Sequence, residues 1–176
     1  MKMKVLMILM LTCVASVFAV ETQSFDVGGD AQLTLANVSG NINVTGESDG
    51  RIEISYTKRD DRIKVTIKQS GDHITVEVDY PRGSRDIKGG VDFEVSFPTS
   101  GTLEVQSVSG NVTVAGVGGK MDAKSVSGNV IVSDTEGRLE LASVSGNVKI
   151  SGAGEAALEA ASVSGNVSYS GSLAGG

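Results

Sequence analysis

The sequence predicts an all-β chain wound as a parallel β-solenoid, and three observations predict it. The hexamer Ser-Val-Ser-Gly-Asn-Val stands at 107–112 and returns at 125–130, 143–148 and 162–167, a spacing of 18, 18 and 19 residues. Apolar residues fall into the same columns in every copy. Composition agrees: Gly accounts for 23 of 176 residues, Pro for two and Trp for none, a mixture that favours strands and turns over helices.

The first residues, Met1 to Val20, carry Lys2 and Lys4, then an apolar run from Val5 to about Val17, then Val17-Phe18-Ala19. This reads as a secretory signal peptide cleaved after Ala19, so residues 1–19 are set apart from a single domain over 20–176. The run is shorter than the ~20 residues that span a bilayer. No transmembrane segment is therefore expected in the mature chain. Cys13 is the only cysteine and lies inside the leader, so neither disulfides nor thiol chemistry are expected afterwards. Lipid attachment at Cys13 is poorly matched, because Met10-Leu11-Thr12 lacks the small residue that usually precedes a lipidated cysteine. Without the two leader lysines the charge is 13 − 21 = −8. Such a surface repels phosphate backbones, which argues against nucleic acid and anionic membranes as partners.

A fifth, earlier copy starts at Leu33 and supplies Leu33, Leu35, Val38, Ile42 and Val44 to the columns. The later copies supply Leu103, Val105, Val108, Val112 and Val114, then Met121, Ala123, Val126, Val130 and Val132, then Leu139, Leu141, Val144, Val148 and Ile150. The last copy continues them with Leu158, Ala160, Val163, Val167 and Tyr169. Each copy reads as two short strands joined at a Val-Ser-Gly-Asn corner, with all five column positions facing the core. A period near 18 is too short for a helical repeat, and no copy can fold alone. Stacking at ~4.8 Å solves both problems. The predicted layout is a first coil over 33–50, an antiparallel insertion over 51–98, and four coils over 101–176, the last incomplete.

The insertion alternates strictly, with Ile52/Ile54/Tyr56, Ile63/Val65/Ile67, Ile74/Val76/Val78/Tyr80 and Val91/Phe93/Val95/Phe97 on one face. Charged residues occupy the other face, so one face should meet the core and one water. The link Ser70-Gly71-Asp72 predicts a hairpin between the central pair. Residues 81–90, Pro-Arg-Gly-Ser-Arg-Asp-Ile-Lys-Gly-Gly, read as a solvated loop.

At the corners stand Gly40, Gly110, Gly128, Gly146 and Gly165, where positive φ is expected to demand glycine. Asn41, Asn111, Asn129, Asn147 and Asn166 follow them and should stack as an amide ladder satisfying corner backbone groups. The flanking serines can bond neighbouring backbone in the same way. A ligand-binding stripe is the functional alternative, but Ser-Gly-Asn supplies no acid, base or metal ligand.

The repeated S-G-N-V, with "VDFEVSFPTSGTLEVQ" before it and one copy ahead of a strand-rich insertion, resembles the bacterial putative-adhesin domain family of unknown function. The resemblance covers about Phe25 to Gly176, and a looser one links the chain to the heads of auto-transporter adhesins. It implies an exported or envelope-associated protein with a solenoid-like fold, and no defined ligand. Family members usually continue past the point corresponding to "SYSGSLAGG". Either the C-terminal cap is missing or the sequence is a fragment; an uncovered last coil would offer an edge for self-association.

Other chemistry is discounted. His73 is the sole histidine, beside Asp72, and cannot build a zinc site alone. The acidic groups Glu47/Asp49, Asp60/Asp61, Asp134/Glu136 and Glu155/Glu159 lack the nonapeptide of calcium-binding rolls and read as solvated turns. Asn37, Asn43, Asn111 and Asn166 fit glycosylation sequons, which matter only in a eukaryotic secretory route. No catalytic residue, cofactor or metal is expected. The reading is a non-enzymatic cell-envelope module whose partner is an envelope protein or a glycan. The alternatives are a carbohydrate-active β-helix enzyme, with paired carboxylates in a groove, and an envelope-stress component acting through another protein.

Overall fold

A computed structural model describes residues 19–48, 50–81, 89–152 and 156–171. Expectations for the leader with Cys13, for Asp49, for most of the 81–90 loop and for Glu155 lie outside the described residues. Every regular element among them is a β-strand. It runs through β1 (Val20–Asp26), β2 (Gln32–Ser39), β3 (Ile42–Glu47), β4 (Arg51–Lys58), β5 (Lys64–Ser70), β6 (His73–Asp79) and β7 (Val91–Pro98). The repeats follow as β8 (Thr102–Ser109), β9 (Val112–Ala115), β10 (Lys120–Ser125) and β11 (Val130–Ser133). They end with β12 (Gly137–Ser143), β13 (Val148–Ser151), β14 (Ala156–Ser162) and β15 (Val167–Ser170).

The strands form two mixed sheets. Sheet I has the order β1-β4-β7-β3-β9-β11-β13-β15, and sheet II the order β14-β12-β10-β8-β2-β6-β5. Each repeat gives its first strand to sheet II and its second to sheet I. Equivalent residues pair in parallel: Leu103 with Met121, Met121 with Leu139, and Leu139 with Leu158. The spacing of the hexamer in the sequence is thus the register of the sheets.

The insertion is not a separate sheet, and it does not stand between the first coil and the others. β2 pairs directly with β8, and β3 directly with β9. β6 and β7 pair in parallel with β2 and β3 on their other sides, Leu33 opposite Ile74 and Ile42 opposite Phe93. Together β6 and β7 make a further coil without the hexamer. Only β1, β4 and β5 add antiparallel pairings, closing that end of both sheets. The β5–β6 hairpin turns at Gly71, where φ is +63°. Alternation along a strand cannot tell these arrangements apart, because parallel and antiparallel partners present the same inward side chains.

The core lies between the two inner faces. Leu33, Ile42, Leu103, Val112, Leu139 and Val148 are at most 1% exposed. At ~1.5 to 3 kcal/mol for each Leu, Ile or Val taken from water, such columns offset the ordering of short strands that would not fold alone.

Candidate interaction surface

Strand parity decides what each hexamer presents. Counting inward positions from Leu103 and Val105, the next is Ser107, and Val108 points out. The third of the five columns therefore differs from the sequence expectation: Val38, Val108, Val126, Val144 and Val163 are 43–82% exposed rather than core. In their place Asn37, Ser107, Ser125 and Ser143 are buried. The signal was in the sequence, since 103, 105 and 108 break a period of two.

The turned-out valines stack along the outer face of sheet II, one per coil at ~4.8 Å. With Ala36, Ala142 and Ala161 they line a shallow groove of about 850 Å³ that crosses the strands. Glu77, Asp79 and Lys124 also reach it. Lys124 Nζ lies 2.6 Å from Asp122 and 3.0 Å from Glu140. These hydrogen bonds, first to Asp122 and then to Glu140, raise the lysine's pKa and hold it charged.

Beneath the stripe, the inward-facing serines join one coil to the next. Ser125 Oγ donates to Gly110 O at 3.0 Å, Ser143 to Gly128 O at 2.9 Å and Ser162 to Gly146 O at 2.8 Å. Ser107 breaks the series. The acceptor it would use, Gly40 O, receives Asn37 Nδ2 at 3.3 Å, and the same amide donates to Val91 O at 2.8 Å. Ser107 Oγ and Asn37 Oδ1 are both buried without a hydrogen-bond partner among the described residues.

The corner glycines serve a different purpose from the one expected. Of the five, only Gly40 has a positive φ, +109°. At Gly110, Gly128, Gly146 and Gly165 the requirement is close approach: a Cβ on each would overlap the carbonyl oxygen of the preceding coil's glycine. The chain packs backbone on backbone at this corner, and no side chain fits between.

Beside the glycines runs the asparagine column. Asn111 N–H donates to Asn41 Oδ1 at 3.1 Å, Asn129 N–H to Asn111 Oδ1 at 3.0 Å, Asn147 N–H to Asn129 Oδ1 at 2.9 Å and Asn166 N–H to Asn147 Oδ1 at 2.9 Å. In the coil without a hexamer, Asp92 takes the same place and accepts Asn41 N–H at 2.9 Å. Its other oxygen receives the Arg59 guanidinium at 2.7 Å. The column thus carries one acceptor per coil to the capped end, where a carboxylate and an arginine finish it.

The remaining candidates are scattered. His73 Nε2 and Thr34 Oγ1 share a hydrogen bond of 3.1 Å. Asp60 and Arg62 form an exposed ion pair in the β4–β5 turn, and the hydrogen bonds from Arg62 lower the Asp60 pKa to about 2. Glu47 accepts from Ser96 Oγ at 3.0 Å. Asp134 and Glu136 stand in the turn before β12. Among the described residues no three acidic, histidine or cysteine side chains gather to hold a metal ion. Asn37, one of the sequon asparagines, is buried with its amide nitrogen engaged.

A comparison with curated proteins gives no match. Among solved structures, the chain is similar to a putative cell adhesion protein from Clostridium sporogenes, with 11% identity, 88% of this chain and 99% of that chain covered, and a TM-score of 0.49. It is also similar to a putative adhesin from Bacteroides fragilis, with 17% identity, 86% and 92% covered, and a TM-score of 0.38. The family model Toastrack DUF4097 matches 87–173, from the last described coil back through β7. That span holds every S-V-S-G-N-V copy, and over it the chain is similar to the Toastrack family, a domain family of unknown function.

Proposed function

We propose that the chain is an exported, non-enzymatic module of the cell envelope that binds a protein partner through the valine stripe of sheet II, in an adhesin-like role. The observation that carries this reading is that Val38, Val108, Val126, Val144 and Val163 are exposed in one line. A contiguous apolar line on an otherwise polar, acidic surface marks a contact surface. A protein fits it better than a glycan, because most of the groove's lining is valine, alanine and serine, and among the described residues no aromatic ring lines it for a sugar to stack on. Its ~4.8 Å step is close to the 5–6 Å between neighbouring side chains on one helix face. The preferred partner segment is therefore an amphipathic helix lying along the solenoid axis.

The test is photocrosslinking in the chain's own cell, with the crosslinking residue placed at Val126, Val144 or, as a control, Thr113 on the outer face of sheet I. One protein adduct formed from both stripe positions and not from Thr113 is expected. Equal labelling from all three, or none, defeats the reading. If the captured protein is a signalling component and deletion leaves attachment unchanged, the role is in envelope stress rather than adhesion.

The enzyme alternative has one observation in its favour. Glu77 and Asp79 both reach the groove and share a strand face, ~6.6 Å apart along β6. Both are exposed, and Lys68 pairs with Glu77 at 3.0 Å. A general acid needs shelter from water to keep its proton, so the binding reading is preferred.

A further inference from the structure

The groove on sheet II has a chemical direction as well as an apolar floor. Beside the valines runs a row of side chains that includes Ala36, Ala142 and Ala161, and the register of β2 with β6 continues it from Ala36 to Glu77. Asp79, two residues on, lines the groove at the same end. The apolar lane therefore runs into two exposed carboxylates on β6, whereas over β12 it meets Ala142 and Val144. A second set of carboxylates flanks the lane. Glu104, Asp122 and Glu140 share one register position on β8, β10 and β12, and Glu159 continues it on β14. Like charges stacked at ~4.8 Å destabilise a sheet. Lys124, which lines the groove, offsets part of this by pairing with Asp122 and Glu140. Glu104 accepts a hydrogen bond only from the neutral Gln106 amide, at 2.9 Å, among the described residues. The other nearby cations stand behind the carboxylates as seen from the valines. Lys120 and Arg138 lie two residues before the row, and Lys64 and Lys68 lie on β5, where Lys68 pairs with Glu77.

We propose that the partner segment seated in the groove is a cationic amphipathic helix held in one direction, its N-terminus over Glu77 and Asp79 and a Lys or Arg flank turned toward Glu104, Glu140 and Glu159. This rests on the groove being the interaction surface and adds what the groove selects. A helix is positive at its N-terminus, so the β6 carboxylates favour that end over the other. Four strand steps separate Val38 from Val163, ~19 Å in all, which four helical turns of ~5.4 Å cover. Residues three or four apart on one helix face are ~5 to 6 Å apart, close to the step of the carboxylate row. Each turn can therefore set one cation against one coil. A second copy of this chain is a poorer occupant. Its own groove is concave where a convex rod is needed, and its carboxylate row repeats the same charge.

Salt separates the two contributions. Attraction between exposed charges is screened within ~3 Å at 1 M salt but reaches ~10 Å at 0.1 M. Burial of the valines is not weakened in this way. Preference for a cationic helix should thus fade with salt, while dependence on the valines persists.

The experiment titrates the exported chain with three synthetic stapled helices of about 18 residues, read by fluorescence anisotropy. All three carry the same leucine face, with lysine, glutamine or glutamate along one flank. The lysine helix should bind about tenfold tighter than the glutamine helix at ~0.1 M salt, and the glutamate helix more weakly than either. At ~1 M salt the first margin should shrink to about threefold or less. Glu104→Gln with Glu140→Gln should weaken the lysine helix about fivefold and leave the glutamine helix unchanged. Glu53→Gln with Glu94→Gln, on the outer face of sheet I, should change neither. A photoreactive group at the N-terminus of the lysine helix should label β6, and one at its C-terminus β12 or β14. Equal binding of the three helices, an equal loss from the sheet I pair, or labelling in both directions overturns the inference. If Val126→Ser still weakens the glutamine helix in that case, the groove remains the interaction surface. If Val126→Ser weakens none of the helices, the groove reading falls and this inference with it. Should a double variant unfold, the three helices and the labelling of the wild-type chain still decide.

Discussion

Asn129 N–H donates to the side-chain oxygen of Asn111, 3.0 Å away and 18 residues earlier in the sequence. Asn129 Oδ1 in turn accepts the N–H of Asn147 at 2.9 Å. Each interior asparagine is thus acceptor for one coil while its backbone is donor to another. Asn129→Ala removes the acceptor and leaves Asn147 N–H without a partner, at a cost of about 1 to 2 kcal/mol in urea unfolding. Asn129→Asp keeps an oxygen there and should cost less. Asn166→Ala, in the last described coil, where no described residue donates to its Oδ1, should change stability by under about 0.5 kcal/mol.

Gly128 and Gly71 separate two reasons for a glycine. A Cβ at Gly128 overlaps Gly110 O, while at Gly71, with φ +63°, nothing lies within 4 Å. Gly128→Ala must push two coils apart and should cost about 3 kcal/mol or more. Gly71→Ala meets only backbone strain and should cost about 1 kcal/mol. Equal losses in thermal unfolding would show that close approach is not what the corner requires.

Thr135 is 1% exposed, with its hydroxyl unpartnered among the described residues. Val117, one coil earlier at the same turn, is also 1% exposed. Thr135→Val should therefore be neutral or stabilise by up to about 1 kcal/mol, because it removes a buried polar group at constant shape. A loss of stability would mean that the hydroxyl has a partner.

Val126→Ser and Val144→Ser should each leave stability within about 0.5 kcal/mol of wild type, since both side chains are 45% exposed. Val130→Ser, at 0% exposure in the same coil, should cost about 2 to 4 kcal/mol. Partner capture should fall in the first two variants despite their normal unfolding curves.

Glu21 ties β1 to β4. Burial by itself would raise its pKa, but hydrogen bonds from Lys58 and then Tyr56 outweigh burial and leave it lowered. Lys58 Nζ lies 2.9 Å from Glu21, and Tyr56 Oη donates to it at 2.7 Å. A folded-state pKa below the unfolded one means that the stabilisation is complete above the ordinary value of 4.5 and is lost as pH falls through the lower folded value. Amide exchange in β1 should accelerate below pH 4.5 before that of β9 or β11. Glu21→Gln should remove most of this pH dependence.

The repeat length, the all-β class and the inward columns at Leu103, Val105, Val112 and Val114 were legible in the sequence, because stacked coils must repeat whatever their neighbours bury. The same repetition concealed Val108. A residue conserved among internal copies looks like core, yet exposed stacking repeats it just as well, and only strict counting by two sets it outside. Equally, the asparagines at constant spacing announced a column, but the sequence said nothing of its direction or of Asp92 at its end.

Residue order alone carries local, periodic information: where strands alternate, where they turn, and which positions recur. Tertiary structure alone decided which coil lies beside which. β6 and β7 stack outside β2 and β3 although 51–98 intervenes before β8, because an edge strand offers its hydrogen bonds to any chain of matching pleat, near or far in sequence. It also decided why Gly128 is glycine, since a carbonyl one coil away, and not the residue's own φ, excludes a side chain there.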